Sequence, residues 1–251
     1  MKIYKVFFSQ QDSLNLAGRE SPKNLKNEND FMRLIVEKPW GSEYLMFENP
    51  FAQVWSLFIK KKAMTSTHTH PNKKTALILI SGRAIFKTLN TSIPLKPLDA
   101  VTIDPAVFHT TQAISEEGAR ILEIETPPLK YDLIRMKDKY GREGKFYEGR
   151  DHMHENKNEC VRFIGMESEK FKQQAFFEAV LSLKKIEKAY TQEDLFHLSS
   201  HDILGVLEGN IHSKNGNLLY SVADVVKCSD FMSHIDSHSI NNLTLLLIRL
   251  S

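Results

Sequence analysis

His68-Thr69-His70 is the segment of this sequence best suited to chemistry. On an extended strand, residues i and i+2 project from the same face, so both imidazoles can converge on one point. A neutral imidazole is a common ligand of zinc, iron, copper and nickel. His109 is the third candidate ligand, because Pro105 ends the preceding strand and can aim the next one into the same cavity. Three histidines leave positions open for water or substrate, as expected of a catalytic metal site.

Two carboxylates and a pair of lysines are further candidates. Glu123 and Glu125 lie two residues apart on the strand predicted after His109, so they share a face and can supply a metal carboxylate or a general base. Two exposed carboxylates on an edge strand are the alternative interpretation. Lys73 and Lys74 are predicted in a solvated turn near the mouth of the metal site, where they can attract an anionic substrate.

The segments that must position these residues are predicted as short β-strands. Seven runs rich in Val, Ile, Leu and Phe alternate with turn residues, a spacing typical of an antiparallel sandwich or barrel. They are Phe31 to Val36, Tyr44 to Phe47, Gln53 to Ile59, Ala76 to Ile80, Ala84 to Leu89, Ala100 to Ile103 and Arg120 to Glu125. Residues 1–8 are expected to form a first strand, and the polar stretch 10–29 a loop or arm.

The length of 251 residues fits two modest domains. A highly charged stretch interrupts the strand pattern, and further short apolar runs follow it. The predicted organisation is a strand and arm at 1–30, a metal-binding barrel at 31–130, a charged linker at 131–160 and a second β domain at 161–251.

The two halves share residue spacings, which predicts an internal duplication. The matching pairs are His70 and Gly82 with His197 and Gly209, each 12 residues apart, and Asp99 and His109 with Asp224 and His234, each 10 residues apart. Leu195 stands where the first half has His68, so the second half is predicted to be a degenerate copy. A metal site formed by His197, Asp202 and His234 is the alternative.

The first half also resembles the cupin superfamily. The segment from His68 through Thr75 to Gly82 is similar to the first cupin motif, and the segment from Leu98 to His109 is similar to the second. The resemblance implies an all-β fold of two cupin barrels, each a double-stranded β-helix or jelly roll, with the second degenerate. It also implies one divalent metal ion, with Zn, Fe, Mn and Ni all compatible, and a homodimer.

The flanks of the first barrel resemble the cupin domain of type II mannose-6-phosphate isomerases. Residues 37–44 open the domain as in that family, and residues 132–142 close it. The resemblance implies a sugar phosphate as substrate, with Tyr140 and Arg142 among the residues that bind it. This sequence departs from the two patterns at Thr75, where cupins have a glutamate ligand, and at Ser66, where the isomerases have a glutamine. A metal held only by neutral histidines keeps its Lewis acidity but should bind less tightly.

Three functions are therefore compatible with the sequence. The first is a metal-dependent isomerase or epimerase that acts on a sugar phosphate or a nucleotide-linked sugar in polysaccharide synthesis. The second is an iron-dependent dioxygenase, because three histidines with open positions also suit oxygen chemistry. The third is a non-catalytic cupin that binds a sugar or has a regulatory role.

Composition limits the other classes. A net charge of +2, from 33 basic and 31 acidic residues, provides no excess of basic residues for binding nucleic acid. Cys160 and Cys228 are too few for a disulfide framework, which favours a reducing compartment and a cytoplasmic location. The apolar run from Leu243 to Leu250 is far too short to span a membrane, and residues 1–8 do not resemble a secretion signal.

Overall fold

The structure, a computed structural model, describes residues 1–20, 30–143, 147–155, 160–164, 171–186, 198–213, 215–234 and 240–250. The chain divides into two compact units, Met1–Cys160 and Val161–Ser251. Most of the described residues that lie in regular structure are in β-strands, so the predicted all-β class is confirmed.

The first unit contains the strands that carry the candidate site. They are β1 (Ile3–Val6), β2 (Leu34–Lys38), β3 (Gly41–Glu48), β4 (Gln53–Ile59), β5 (Thr67–Thr69), β6 (Lys74–Gly82), β7 (Ala84–Thr88), β8 (Ser92–Leu95), β9 (Ala100–Ile103), β10 (His109–Ala113), β11 (Ala119–Thr126), β12 (Ile134–Lys137) and β13 (Met153–Glu155). The unit also has a helix α1 (Gln10–Leu16) and 3₁₀ turns at Phe31–Arg33 and Arg150–His152.

These strands form two sheets. One has the order β1-β9-β6-β11-β4-β3-β2-β13, and the other has the order β12-β5-β10-β7-β8. From β4 to β12 the chain passes repeatedly between the sheets, and residues of both, such as Trp55, Leu79 and Phe86, share one buried core. Two sheets wound together in this way form a double-stranded β-helix.

The start of the chain forms more structure than expected. The predicted first strand is present as β1, which pairs in parallel with β9. The expected arm contains α1, which begins with a capping box: the Ser9 hydroxyl accepts the Asp12 N–H, and the Asp12 carboxylate accepts the Ser9 N–H. The Asp12 side chain is buried, so this helix is anchored to the barrel.

The segment 131–160, expected as a charged linker, lies instead within the first unit. β12 extends one sheet by pairing with β5, and β13 extends the other by pairing with β2. Asp132 and Arg135 are buried. The high charge of this segment indicated solvent exposure, but several of its charged groups are neutralised by partners inside the barrel.

The second unit contains β14 (Phe171–Phe176), β15 (Ala179–Ile186), β16 (Ile203–His212), β17 (Leu218–Tyr220), β18 (Val225–Lys227), α2 (Cys228–His234) and β19 (Ile240–Leu250). Its sheet has the order β14-β15-β19-β16-β17, and β18 also pairs with β16. Within it, β15-β19-β16-β18 repeats the path β4-β11-β6-β9 of the first unit. Within the part of the chain that is described, the second unit thus reproduces one sheet of a barrel.

One turn shows the duplication in atomic detail. Leu98 and Ala223 both have a positive φ, at 65° and 64°, and an aspartate follows each. The Leu98 N–H donates to the Leu79 carbonyl at 2.8 Å, and the Ala223 N–H donates to the Val206 carbonyl at the same distance. The aspartate carboxylates each accept the N–H of the residue three positions earlier. The shared conformation agrees with the matched spacings of the two halves.

None of the described helices has the length and apolar character that crossing a bilayer requires.

We predict that Gly82→Ala destabilises the first unit by about 2–5 kcal/mol, whereas Gly141→Ala costs about 1–2 kcal/mol. Both glycines have a positive φ, but a Cβ at Gly82 would lie 2.1 Å from the Gly118 carbonyl oxygen, while nothing lies within 4 Å at Gly141. Urea unfolding followed by tryptophan fluorescence tests this, because Trp40 and Trp55 both lie in the first unit. Equal losses in the two variants would contradict the steric explanation.

Candidate metal centre

The three predicted ligands come together at one end of the smaller sheet. His68 lies on β5, His70 follows that strand directly, and His109 opens β10, where it is the register partner of His68. The ring centroids are 5.1 Å apart for His68 and His70, 4.5 Å for His68 and His109, and 5.6 Å for His70 and His109. One nitrogen of each ring lies within 4.8 Å of the others, so the three rings can hold one cation.

Backbone carbonyls orient all three rings. Nδ1 of His68 lies 2.8 Å from the Ser66 carbonyl oxygen, Nδ1 of His70 lies 2.6 Å from that of Asp132, and Nδ1 of His109 lies 3.0 Å from that of Val107. A carbonyl can only accept, so each Nδ1 carries the proton and each Nε2 keeps its lone pair. This is the usual arrangement of metal-binding histidines.

The residues present fit a divalent cation. Nε2 of His70 is buried and has no hydrogen-bond partner among the described residues. An unsatisfied buried nitrogen is costly unless a cation or another partner occupies its lone pair. Imidazole nitrogens suit zinc, iron and nickel, so the donor set limits the choice of metal without selecting one.

The environment keeps the rings neutral. Burial and the nearby His109 hold the pKa of His68 well below its usual value, and burial together with the Lys73 ammonium does the same for His70. Burial is also the main reason that the pKa of His109 falls to about 4. Near neutral pH a metal would therefore meet three unprotonated rings and would displace no proton from them.

Glu123 and Glu125 face the same region from β11. This strand lies between β4 and β6, and both side chains are buried, so the alternative of exposed carboxylates on an edge strand does not apply. One carboxylate oxygen of each, with a nitrogen of His70, forms a second group within 4.8 Å. Burial and the neighbouring charge of Glu125 raise the pKa of Glu123 to about 8.

Lys73 is part of this arrangement and not of a solvated turn. Its side chain is buried, and its ammonium lies 2.6 Å from Oε1 of Glu125. The other oxygen of that carboxylate, Oε2, is buried and has no hydrogen-bond partner in the described part of the chain.

A cavity opens onto the three histidines and the two glutamates. Its cationic lining residues are Lys38, Lys130, Arg135 and Arg142. Of the residues expected to bind substrate, the structure brings Arg142 to the cavity. Lys74 and Tyr140 are not among the lining residues, and the Tyr140 hydroxyl instead accepts the Met64 N–H at 3.4 Å.

Lys38 and Lys130 are held in place by Glu43. Its carboxylate lies 3.3 Å from the Lys38 ammonium and 2.9 Å from that of Lys130, and it accepts a hydrogen bond from the Tyr147 hydroxyl. Burial favours the neutral carboxyl, but the two ammonium charges hold the pKa of Glu43 well below its usual range. The Lys130 ammonium also lies 3.4 Å from the centroid of the Trp55 ring, a cation–π contact.

Arg135 and Arg142 share a second carboxylate, Glu148. Arg135 lies 3.2 Å from it and Arg142 lies 2.5 Å from it, and Asp138 also binds Arg142 at 2.8 Å. The two guanidinium groups are thus fixed before any ligand arrives.

Several of these residues were not predicted from the sequence. Lys38, Glu43 and Lys130 occupy the cavity wall, and Asp12 accepts the N–H of Phe108 at 2.9 Å, next to His109. The available signal was a charged residue at an inward position of an alternating strand, as for Glu43 on β3.

The second unit has different groups at the corresponding positions. Asp202 is ion-paired with Arg249 through two contacts of 2.7 Å. His234 is exposed at the end of α2, and its Nδ1 lies 2.6 Å from the Asp230 carbonyl oxygen. Leu195 and His197 lie outside the described residues. In chain order, the helix α2 follows β18 where β10 follows β9 in the first unit, and His234 lies at the end of this helix.

Comparison with solved structures finds proteins that resemble part of this chain. A protein with a double-stranded β-helix domain from Klebsiella pneumoniae is 16% identical over 38% of this chain and 84% of its own, with a TM-score of 0.35. A cupin-like protein from Thermotoga maritima is 21% identical over 44% and 90%, with a TM-score of 0.37. An RmlC-like cupin from Shewanella frigidimarina is 14% identical over 43% and 95%, with a TM-score of 0.35.

No family model matches the chain, and a search of curated proteins finds no match. The fold class therefore rests on the chain itself. The two wound sheets define the first unit as a double-stranded β-helix barrel, and three histidines converge in it.

We predict that the metal-free protein loses stability as the pH rises from 7 through 8. Glu123 retains its proton to about pH 8 in the folded state but releases it near its usual pKa of 4.5 when unfolded. The native state therefore binds more protons in this range, with a slope of at most about 1.4 kcal/mol per pH unit. Above pH 7 the histidines are neutral in both states and contribute little.

Urea titrations of chelator-treated protein between pH 7 and 9 measure this slope. In Glu123→Gln it should disappear, whereas Glu37→Gln, at an exposed position, should keep it. The same slope in all three proteins would show that Glu123 is already ionised in the folded state.

Proposed function

We propose that this protein is a metal-dependent cupin isomerase that acts on a sugar phosphate, of the mannose-6-phosphate isomerase type. The observation that carries the proposal is the set of three imidazoles, aimed by backbone carbonyls into a cavity that also contains a buried carboxylate pair and four cationic side chains.

His68, His70 and His109 would hold the metal ion through Nε2. When bound, a divalent cation at this position would polarise a carbonyl or hydroxyl oxygen of the substrate. Three protein ligands leave coordination positions for such oxygens.

Glu123 would transfer the protons of this reaction. Aldose–ketose interconversion removes a proton from C2 and returns one to C1, while a hydroxyl proton passes from O2 to O1, so that no oxidant or reductant is needed. Glu123 lines the cavity, and one of its carboxylate oxygens lies within 4.8 Å of a nitrogen of His70. A buried carboxyl group of raised pKa suits this exchange near neutral pH.

The ammonium and guanidinium groups of the lining can donate hydrogen bonds to an anionic substrate. Arg135 and Arg142 are oriented by Glu148, and Lys130 by Glu43. Groups fixed in advance lose little entropy when they bind a phosphate. Arg142 also belongs to the flank that resembles the isomerases.

We predict that the purified protein contains about one divalent metal per chain and interconverts mannose 6-phosphate and fructose 6-phosphate. His68→Ala/His70→Ala should lose both the metal and turnover. Glu123→Gln should keep the metal and lower kcat by roughly 10²–10⁴-fold, the usual range for loss of a general acid–base. His154→Ala, at an exposed position, is the matched histidine control. Elemental analysis and a coupled assay over a panel of sugar phosphates measure the two quantities.

The remaining outcomes separate the alternatives. Oxygen consumption by the iron-loaded protein, without isomerisation, would identify a dioxygenase. Binding of a sugar without turnover, unchanged in His68→Ala, would identify a binding protein. A metal-loaded protein that converts no sugar phosphate contradicts the isomerase.

A further inference from the structure

We propose that Glu125 is the fourth protein ligand of the metal, so that the carboxylate of the site comes from β11 and not from β6. Because it takes a bound metal as given, this role of Glu125 rests on the proposed function.

The environment of Glu125 is that of an incomplete coordination shell. Its side chain is 1% exposed, and the Lys73 ammonium contacts only Oε1. Oε2 has no hydrogen-bond partner within the described ranges. Leaving a buried carboxylate oxygen unpaired is costly, so a partner is expected at this atom.

The partner can be the cation at the histidines. One oxygen of Glu125 and one nitrogen of His70 lie within 4.8 Å, and Nε2 of His70 is the other unsatisfied buried atom of this pair. Two atoms that bind one metal at about 2.1 Å each lie roughly 3–4 Å apart. A small movement of a side chain is therefore enough to bring both into one shell.

The strand register explains why a carboxylate on β11 can do this. Glu125 is the register partner of Thr75 on β6, the position where the motif has its acidic residue. Directly opposed residues on adjacent strands share a face, with Cβ atoms about 4.5–5.5 Å apart. The Thr75 side chain is itself buried, and its hydroxyl has no partner among the described residues.

The second unit shows that side chains at these two positions reach each other. There Ile203 pairs with Ile248, and the next rung outward contains Asp202 and Arg249. This rung corresponds to Thr75 and Glu125, and its two side chains are in contact at 2.7 Å. Side chains from the two strands of this rung can thus reach a common point.

The test exchanges Thr75 on β6 and Glu125 on β11. Affinity for Co²⁺ is measured by its visible absorption and by competition with a chelating dye, and neither readout depends on turnover. Glu125→Thr and the milder Glu125→Gln should each weaken binding by roughly tenfold or more, because the site loses an anionic ligand. The double variant Thr75→Glu/Glu125→Thr should bind within about threefold of the wild type, because the carboxylate is returned from the other strand.

Two controls complete the design. Glu123→Gln should bind Co²⁺ as the wild type does, which separates the two carboxylates. Tryptophan fluorescence reports whether the first unit of each variant is folded, and Glu125→Gln retains a hydrogen-bonding group for Lys73 if Glu125→Thr does not fold.

The outcomes distinguish this inference from the function. If the wild-type protein binds no Co²⁺, the metal site and the proposed isomerase function are both contradicted. A wild type that binds Co²⁺, with folded Glu125 variants of equal affinity, overturns only the role of Glu125. A folded double variant that stays as weak as Glu125→Thr would show that β6 and β11 are not interchangeable sources of the ligand.

Discussion

The hydrogen bond from each imidazole Nδ1 to a backbone carbonyl is the interaction on which this site depends. It fixes the tautomer and the direction of the ring, and it can do so only if the carbonyl is itself immobile. The carbonyls belong to Ser66, Val107 and Asp132, which lie far apart in sequence. The elements around them must therefore hold three separate loops at one place.

Two parts of the chain outside the predicted barrel serve this purpose. The Asp132 carboxylate accepts hydrogen bonds from both the backbone N–H and the side-chain amide of Asn72. These bonds tie the loop after β5, which contains His70, to the segment before β12. At the other loop, Asp12 of α1 accepts the N–H of Phe108. The expected arm and linker thus support the loops that carry the three histidines.

Local patterns in the sequence predicted part of this site, whereas contacts between residues distant in the chain could not be predicted. The convergence of His68 and His70 was predictable because two residues at i and i+2 on a strand project from one face, and His109 was predictable from the segment that ends at Pro105. The burial of Lys73 and Arg135 was not predictable, because their carboxylate partners lie 52 and 13 residues away, and only the folded sheets bring them together. The short helix α1 has too few residues for a clear hydrophobic period, although its capping box was visible in the sequence.

The ion pair between Asp202 and Arg249 has a consequence for the chain as a whole. A carboxylate already neutralised by a guanidinium offers a free cation little net attraction, and freeing it would leave a buried charge without compensation. In the described part of the second unit, the Asp202 carboxylate thus balances the charge of Arg249, which makes it a poor ligand for a metal ion.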